Sequence, residues 1–145
     1  MKFSFASIED EEQIRQILEE SGLLHRDIRP AQLQHFLIIK DDHSSALAGV
    51  VGLQPKGDVG LLRSLAVAKA YRRRGLGIEL VRKIEEYARS QQIAVLYLLT
   101  LTADGFFARL GYQETDRASA PPALQETTEF KSLCPQTAVC MEKCL

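Results

Sequence analysis

The sequence predicts an α/β fold, with a mixed, mostly antiparallel sheet of about six to seven strands flanked by helices. The length of 145 residues suits one compact core, so we expect a single domain over residues 1–145. In the middle of the chain, an apolar strand at 59–67 leads through a helix at 76–90 to a nearly continuous apolar run at 94–100. A strand covered on both faces has that composition, which indicates a parallel crossover at the centre of the sheet.

The elements before the crossover follow from alternation and capping. Ser7 is a predicted N-cap with Asp10 three residues on, and Gly22 is placed to end the helix that follows. Alternating or continuous apolar stretches predict the strands on either side of this helix. The predicted order begins with a strand at 2–6, a helix at 7–22 and a mixed loop with a short helix at 23–34. A strand at 35–40, a hairpin loop at 41–45 and a strand at 46–54 follow.

The elements after the crossover are shorter. Residues 104–111 read as a short helix closed by Gly111, and a strand begins at Tyr112. Residues 117–130 form a long connection with paired prolines, and the alternating stretch at 137–145 is predicted to complete the sheet.

Composition excludes several classes of protein. The 18 basic and 19 acidic side chains nearly balance, which argues against a nucleic-acid binder. The first residues contain no apolar stretch long enough for a signal peptide or a membrane span. The three cysteines, Cys134, Cys140 and Cys144, are an odd and low number, which is typical of free thiols in a reducing cytoplasm. We therefore expect a cytoplasmic protein without a membrane partner.

The stretch YRRRGLG at 71–77 concentrates three arginines and two glycines where a strand ends and a helix begins. A helix N-terminus presents unpaired N–H groups and a partial positive charge, and glycines let the backbone approach a ligand closely. These features favour an anion site suited to a pyrophosphate. Neither the Walker nor the Rossmann glycine pattern is present. Taken alone, a solvated turn shaped by glycines is an equally good interpretation.

The surroundings of this turn favour the functional interpretation. The segment SLAVAKAYRRRGLGIELVRKIEEYA resembles the acetyl-CoA signature of the Gcn5-related N-acetyltransferases, and FFARLGYQET is similar to the helix and strand downstream of it. The matching positions are Leu65, Val67, Tyr71, Arg72, Gly75, Gly77 and Leu80. The resemblance implies that strands 59–67 and 94–100 splay apart and hold the acetyl thioester of acetyl-CoA between them.

The resemblance also implies roles for individual residues. Backbone N–H groups from Arg73 to Ile78 would hold the pyrophosphate, and the backbones of Ala66 and Val67 would pair with the pantetheine arm. The Val67 N–H would lie near the thioester carbonyl and stabilise a developing oxyanion. The full set of implied cofactor-binding residues is Leu65, Ala66, Val67, Arg72, Arg73, Arg74, Gly75, Leu76, Gly77, Ile78 and Thr102.

A catalytic acid or base is harder to assign. Phe107 stands where many members of the family have a tyrosine that acts as the acid. Tyr97 is the nearest tyrosine, but its place in a buried strand is equally compatible with a core residue. No glutamate on strand 59–67 offers a base. We therefore expect deprotonation of the acceptor amine through water.

Arg63 and Ser64 are the predicted acceptor-binding residues. Strict alternation along strand 59–67 would put Arg63 on the same face as Leu65 and Val67, inside the cleft. There it could bind an acid group of the acceptor, although an exposed sheet arginine is an equal alternative. Thr100 is expected to line the same gap, with a strand-end cap as its alternative role.

A narrower resemblance concerns the acceptor. LLRSLAV, YLLTLTADGFFARLGY and EFKSLCPQTAVCM look like the small N-acetyltransferases of arsenic-resistance operons, and LRSLAV and LLTLTA are similar to the acetyltransferase domain of N-acetylglutamate synthases. Both imply a small, acidic, amino-acid-like acceptor. An acetyl-CoA sensor without turnover and a protein or peptide acetyltransferase stay open as alternatives, although residues 117–130 would cover one side of the cleft and favour a small acceptor. Monomer and homodimer are equally compatible with the sequence.

No metal site is predicted. Cys140 and Cys144 lie four residues apart on a predicted strand, about 13 Å from each other, and cannot bind one ion together. Cys134, which precedes a proline, could instead be a thiol near the acceptor, but small buried hydrophobic residues are the simpler interpretation of all three cysteines.

Overall fold

The computed structural model of the protein describes residues 1–133 and 137–145. It contains a seven-stranded sheet with the order β1-β2-β3-β4-β5-β7-β6. The strands are β1 (Lys2–Phe5), β2 (Phe36–Lys40), β3 (Leu47–Lys56), β4 (Val59–Val67), β5 (Val95–Thr100), β6 (Gln113–Thr115) and β7 (Val139–Cys144). The helices are α1 (Glu11–Glu20), α2 (Leu76–Ser90), α3 (Asp104–Arg109) and α4 (Pro122–Gln125). Single helical turns lie at Ile8–Asp10, Pro30–His35, Lys69–Tyr71, Arg117–Ser119 and Glu129–Leu133.

The predicted fold class is confirmed. Within the described residues, all paired strands are antiparallel except β4 and β5, which are parallel and joined through α2. The helix predicted from Ser7 starts as a 3-10 turn, and the backbone N–H of its N-cap residue Ser7 donates to Asp10 Oδ2 at 2.9 Å. Gly22 follows the end of α1 with a φ of +70°, as a helix stop requires.

The core fills both faces of the sheet. Helix α2 covers one face with Leu80, Val81 and Ile84, which are fully buried against β3, β4 and β5. Helix α1 covers part of the other face with a separate cluster, and a third cluster lies under α4 and the turn at Glu129–Leu133. The segment predicted as a long connection is therefore packed against the sheet.

The sheet is open at its centre. β4 and β5 pair only at their first residues, Val59–Leu61 with Val95–Tyr97. Beyond this point β4 stays paired with β3 up to Val67, and β5 stays paired with β7 up to Thr100. The two strands thus separate toward their carboxyl ends and leave a gap between them, as the resemblance implied.

A β-bulge in β4 corrects one prediction. Gly52 of β3 pairs with Arg63, but Val50 pairs with Ala66, so β4 carries one extra residue between these pairs. Ser64 accommodates the bulge with a φ of +60°. The bulge breaks the alternation from which we placed Arg63 on the face of Leu65 and Val67. Arg63 instead lies toward the α1 side of the sheet, whereas the other two pack toward α2.

None of the helices that the structure describes is long and apolar enough to cross a lipid bilayer.

Candidate active site

The gap between β4 and β5 is a cleft of about 490 Å³. The end of α1 and the following loop, the second half of β4, the end of β5 and the loop after it form its walls. Of the residues predicted for the site, those that line the cleft are Arg63, Ser64, Leu65, Ala66, Val67, Arg72, Thr100 and Thr102. The fold thus brings the predicted acceptor residues and the predicted pantetheine residues into one space.

The backbone of β4 presents the Val67 N–H group to this cleft. Ala68 N donates to Ala48 O at 2.8 Å, so this opposed pair is of the hydrogen-bonded type. Because pair types alternate in an antiparallel ladder, Val67 opposite Gly49 is a non-hydrogen-bonded pair, and its N–H and C=O point away from β3. Arg72 Nε donates to the Val67 carbonyl at 2.9 Å, which leaves the Val67 N–H directed into the gap.

The same alternation corrects the prediction for Ala66. The pair of Ala66 with Val50 is of the hydrogen-bonded type, so the Ala66 backbone is turned toward β3. Its carbonyl oxygen lies close to Gly49, in agreement with that direction. Ala66 therefore lines the cleft but does not offer its backbone to a pantetheine arm.

The basic turn is held in a defined conformation before α2. Arg73 and Gly75 both adopt left-handed φ values, +67° and +76°. Tyr71 donates its hydroxyl hydrogen to Asp41 Oδ2 at 2.7 Å, and the Arg74 guanidinium lies 5.4 Å from the centre of the Tyr71 ring. These contacts tie the turn to the β2–β3 hairpin and position the N-terminus of α2.

The first turn of α2 leaves its N–H groups available. The first intrahelical bond that closes on the N-cap runs from Glu79 N to Gly75 O at 3.2 Å. The N–H groups of Leu76, Gly77 and Ile78 precede it and have no acceptor inside the helix. A Cβ on Gly77 would lie 3.5 Å from Phe106 and 3.9 Å from Val67, which are ordinary van der Waals distances. The same distances show that the start of α2 lies beside the end of β4.

Arg63 is buried and bound to a residue that the sequence did not single out. Its Nη2 donates to Asp27 Oδ1 at 2.7 Å, its Nη1 donates to Asp27 Oδ2, and its Nε donates to Ser64 Oγ at 3.0 Å. Burial works to raise the pKa of Asp27, but the hydrogen bonds and charge of Arg63 outweigh it and hold that pKa below its ordinary value. Arg15 of α1 secures the loop that carries Asp27 by donating to the carbonyls of His25 and Ile28.

Glu129 is the second residue that sequence analysis missed. It lines the cleft, is only 8% exposed, and its Oε2 atom has no hydrogen-bond partner among the described residues. Burial raises the pKa of Glu129 to about 7, a shift that the charge of Arg63 opposes and that of Asp27 reinforces. In the sequence, Glu129 stands out only as part of the segment EFKSLCPQTAVCM, which resembles the arsenic-operon acetyltransferases but indicates no role for this glutamate.

The remaining predicted residues are less central. Thr100 accepts a hydrogen bond from Ala103 N at 2.9 Å, so it caps the start of α3 as well as lining the cleft. Phe107 is buried and lines the cleft wall. Tyr97 lies where β4 and β5 are still paired, opposite Leu61, and is absent from the described cleft lining. Its position in the paired part of β4 and β5 favours a core residue, and a catalytic role for Tyr97 stays a prediction.

The cysteines that the structure describes lie away from the cleft, and we expect them to be dispensable. Cys140 is buried in β7, and burial raises the pKa of its thiol to about 11, while Cys144 is exposed at the end of the same strand. Cys134 lies outside the described residues. Replacing Cys140, Cys144 and Cys134 with serine or alanine is expected to leave acetyl transfer unchanged. Any loss of activity should come from lower stability and appear as a lower melting temperature. Loss of turnover in a folded Cys134→Ala variant that still binds acetyl-CoA would contradict this expectation.

Comparison with known proteins places the chain in a family. Residues 3–112 match the model of the acetyltransferase (GNAT) family. An amino-acid acetyltransferase of Pseudomonas aeruginosa is 30% identical over 119 residues, which cover 79% of this chain and 27% of that protein. An uncharacterized N-acetyltransferase of Chlorobaculum tepidum is 35% identical over 81 residues, 56% of this chain and 50% of that protein. The chain thus spans about a quarter of the length of the amino-acid acetyltransferases that it matches.

Solved structures share the fold. N-acetylglutamate synthase from Neisseria gonorrhoeae, complexed with coenzyme A and N-acetyl-glutamate, superposes with a TM-score of 0.85 at 24% identity, over 99% of this chain and 35% of that chain. Rv2747 from Mycobacterium tuberculosis, in complex with CoA and NLQ, gives a TM-score of 0.80 at 21% identity, over 100% and 99% of the two chains. With the family model matching residues 3–112 and this fold around a cleft between β4 and β5, the chain belongs to the acetyltransferase (GNAT) family.

Proposed function

We propose that this chain transfers the acetyl group of acetyl-CoA directly to the amine of a small, acidic, amino-acid-like acceptor. The observation that carries the proposal is the cleft between β4 and β5, into which the Val67 N–H points and beside which α2 begins. An N–H group directed at a thioester carbonyl stabilises the charge that develops on its oxygen when an amine attacks.

The proposed donor site runs from the basic turn to the end of β4. The pyrophosphate of acetyl-CoA would bind the N–H groups between Arg73 and Ile78, where the helix start and the three arginines favour an anion. The pantetheine arm would follow β4 past Leu65 and Val67, in the place that a paired strand would otherwise occupy. The room around Gly77 and the outward backbone of Val67 fit this arrangement.

The proposed acceptor site lies deeper in the same cleft, at Arg63 and Ser64. A buried guanidinium favours an acid group on the acceptor, and Asp27 holds its fork in place. The relatives support an amino acid: those from Pseudomonas are named amino-acid acetyltransferases, and the Neisseria synthase is complexed with coenzyme A and N-acetyl-glutamate. The link to arsenic resistance rests on the sequence resemblance alone.

A screen of acceptors tests the proposal. The protein would be incubated with acetyl-CoA and a panel of amines, neutral and acidic amino acids and amino-phosphonates, and free thiol release would be followed against a blank without acceptor. We expect turnover with at least one acidic amino acid or amino-phosphonate and much slower turnover with simple amines. Tight acetyl-CoA binding without turnover on any acceptor would instead favour a regulatory module.

A further inference from the structure

Glu129 presents an unusual group inside the cleft. Glu129 lies on the turn Glu129–Leu133, which is part of the connection between β6 and β7. One of its carboxylate oxygens is fully buried without a partner among the described residues. A buried carboxylate without a compensating contact destabilises a fold, and most buried polar groups in native proteins are paired. Glu129 lines the same cleft as Val67 and Arg63, so a ligand in the cleft lies beside this carboxylate.

The charges around Glu129 indicate the kind of ligand. Among the described residues, the charged groups that act on it are Arg63 on β4, Asp27 on the loop after α1, and Arg117 on the turn after β6. Arg63 is already engaged by Asp27 through two hydrogen bonds, so its positive charge is only partly available to Glu129. Arg117 donates to the Phe130 carbonyl at 2.7 Å. A carboxylate in this setting favours a cation, whereas acetyl-CoA carries negative phosphates and has no positive group to offer.

From this geometry we propose that Glu129 binds the ammonium group of the acceptor and takes its proton before acetyl transfer. The inference rests on the proposed function and names the residue that prepares its acceptor. An amino acid would then lie with its ammonium at Glu129 and its acid group toward Arg63.

The proton balance of the step is complete. The acceptor enters as an ammonium ion, and one proton passes to the Glu129 carboxylate. The neutral amine attacks the thioester carbon, forming a C–N bond, while the C–S bond breaks and its electron pair leaves with the coenzyme A sulfur. The second proton of the attacking nitrogen passes to that thiolate, and Glu129 returns its proton to water. A carboxyl group whose pKa lies near 7 is suited to this exchange at neutral pH.

The test compares two glutamines on the same segment. Glu129→Gln keeps the size of the side chain and removes its charge. Glu126→Gln is the matched control, because Glu126 is exposed and its ion pair with Lys131 lies at the surface. We expect Glu129→Gln to lower kcat/KM for the acceptor by about 100-fold or more, the usual contribution of a positioned base. Acetyl-CoA affinity, measured by calorimetry, is expected to stay unchanged in both variants.

The pH profile separates a chemical role from a structural one. In the wild type, kcat/KM is expected to rise up to a pH near 7 and then level off. In Glu129→Gln, kcat/KM should keep rising with pH as the amine itself loses its proton. With an aminooxy analogue of the acceptor, which is neutral at the pH of the assay, the Glu129→Gln substitution should reduce activity much less than it does with the amine. Glu129→Asp is expected to restore part of the activity and serves as the second variant if the glutamine form is poorly folded.

The outcomes distinguish the two proposals. A Glu129→Gln variant with the wild-type rate and pH profile would overturn the role of Glu129 and leave the proposed function intact. A wild type that binds acetyl-CoA but acetylates no acceptor would overturn the proposed function, and this inference with it.

Discussion

Gly77→Asp is expected to weaken acetyl-CoA binding by about 100-fold or more, equivalent to about 2.7 kcal/mol. Gly77 lies in the first turn of α2, where N–H groups without intrahelical acceptors face the proposed pyrophosphate. An aspartate there places a negative charge against the phosphates and competes for the same N–H groups. The fold itself tolerates a Cβ, which would make only ordinary contacts with Phe106 and Val67. Calorimetric titration with acetyl-CoA measures the effect.

Gly77→Asn is the matched control for this variant, because it has nearly the shape of aspartate without its charge. We expect it to lose clearly less affinity than Gly77→Asp, and the difference to shrink as the salt concentration rises. Equal and unchanged affinity for acetyl-CoA in both variants would show that the pyrophosphate does not bind at this turn.

Asp27→Ala is expected to destabilise the protein by about 3–5 kcal/mol, since it removes the carboxylate that balances the buried guanidinium of Arg63. The Asp27 pKa is held below its ordinary value, so the pair contributes stability at pH values above the ordinary aspartate pKa. That contribution is lost as the pH falls through the lowered pKa of the folded state. Denaturant unfolding of wild type and variant at neutral and acidic pH measures both effects: the difference should be largest at neutral pH.

The double variant Asp27→Leu, Arg63→Met is the control for this prediction. It removes both charges together, and buried ion pairs replaced by apolar residues of similar size often cost little. We expect it to be more stable than Asp27→Ala although it changes one more residue. A double variant less stable than the single one would mean that the pair stabilises the fold in its own right.

The parts of this fold that the sequence predicts are those specified locally. The N-terminal cap at Ser7, the stop at Gly22 and the glycine turn before α2 each depend on residues within a few positions of one another. The crossover follows from the apolar run at 94–100, which only a strand covered on both faces would carry. The gap between the central strands came from the family resemblance and not from the residue pattern.

The parts that the sequence missed depend on residues far apart in the chain. The bulge at Ser64 arises from the pairing of β4 with β3, where Gly52 leaves space for the ring of Phe36 and lies opposite Arg63. A serine gives no local indication that it will adopt a left-handed φ. The pairing of Arg63 with Asp27 spans 36 positions, and the burial of Glu129 depends on how the connection after β6 packs. Periodicity therefore placed Arg63 in the right cleft but on the wrong face.

The most direct measurement is a crystal structure of the protein with coenzyme A and an acetylated acidic amino acid. We expect the pyrophosphate within hydrogen-bonding distance of N–H groups between Arg73 and Ile78, and the thiol between β4 and β5 beside the Val67 N–H. We also expect the acetylated nitrogen near Glu129. Coenzyme A bound outside the cleft, or with its pyrophosphate away from this turn, would contradict the proposed function.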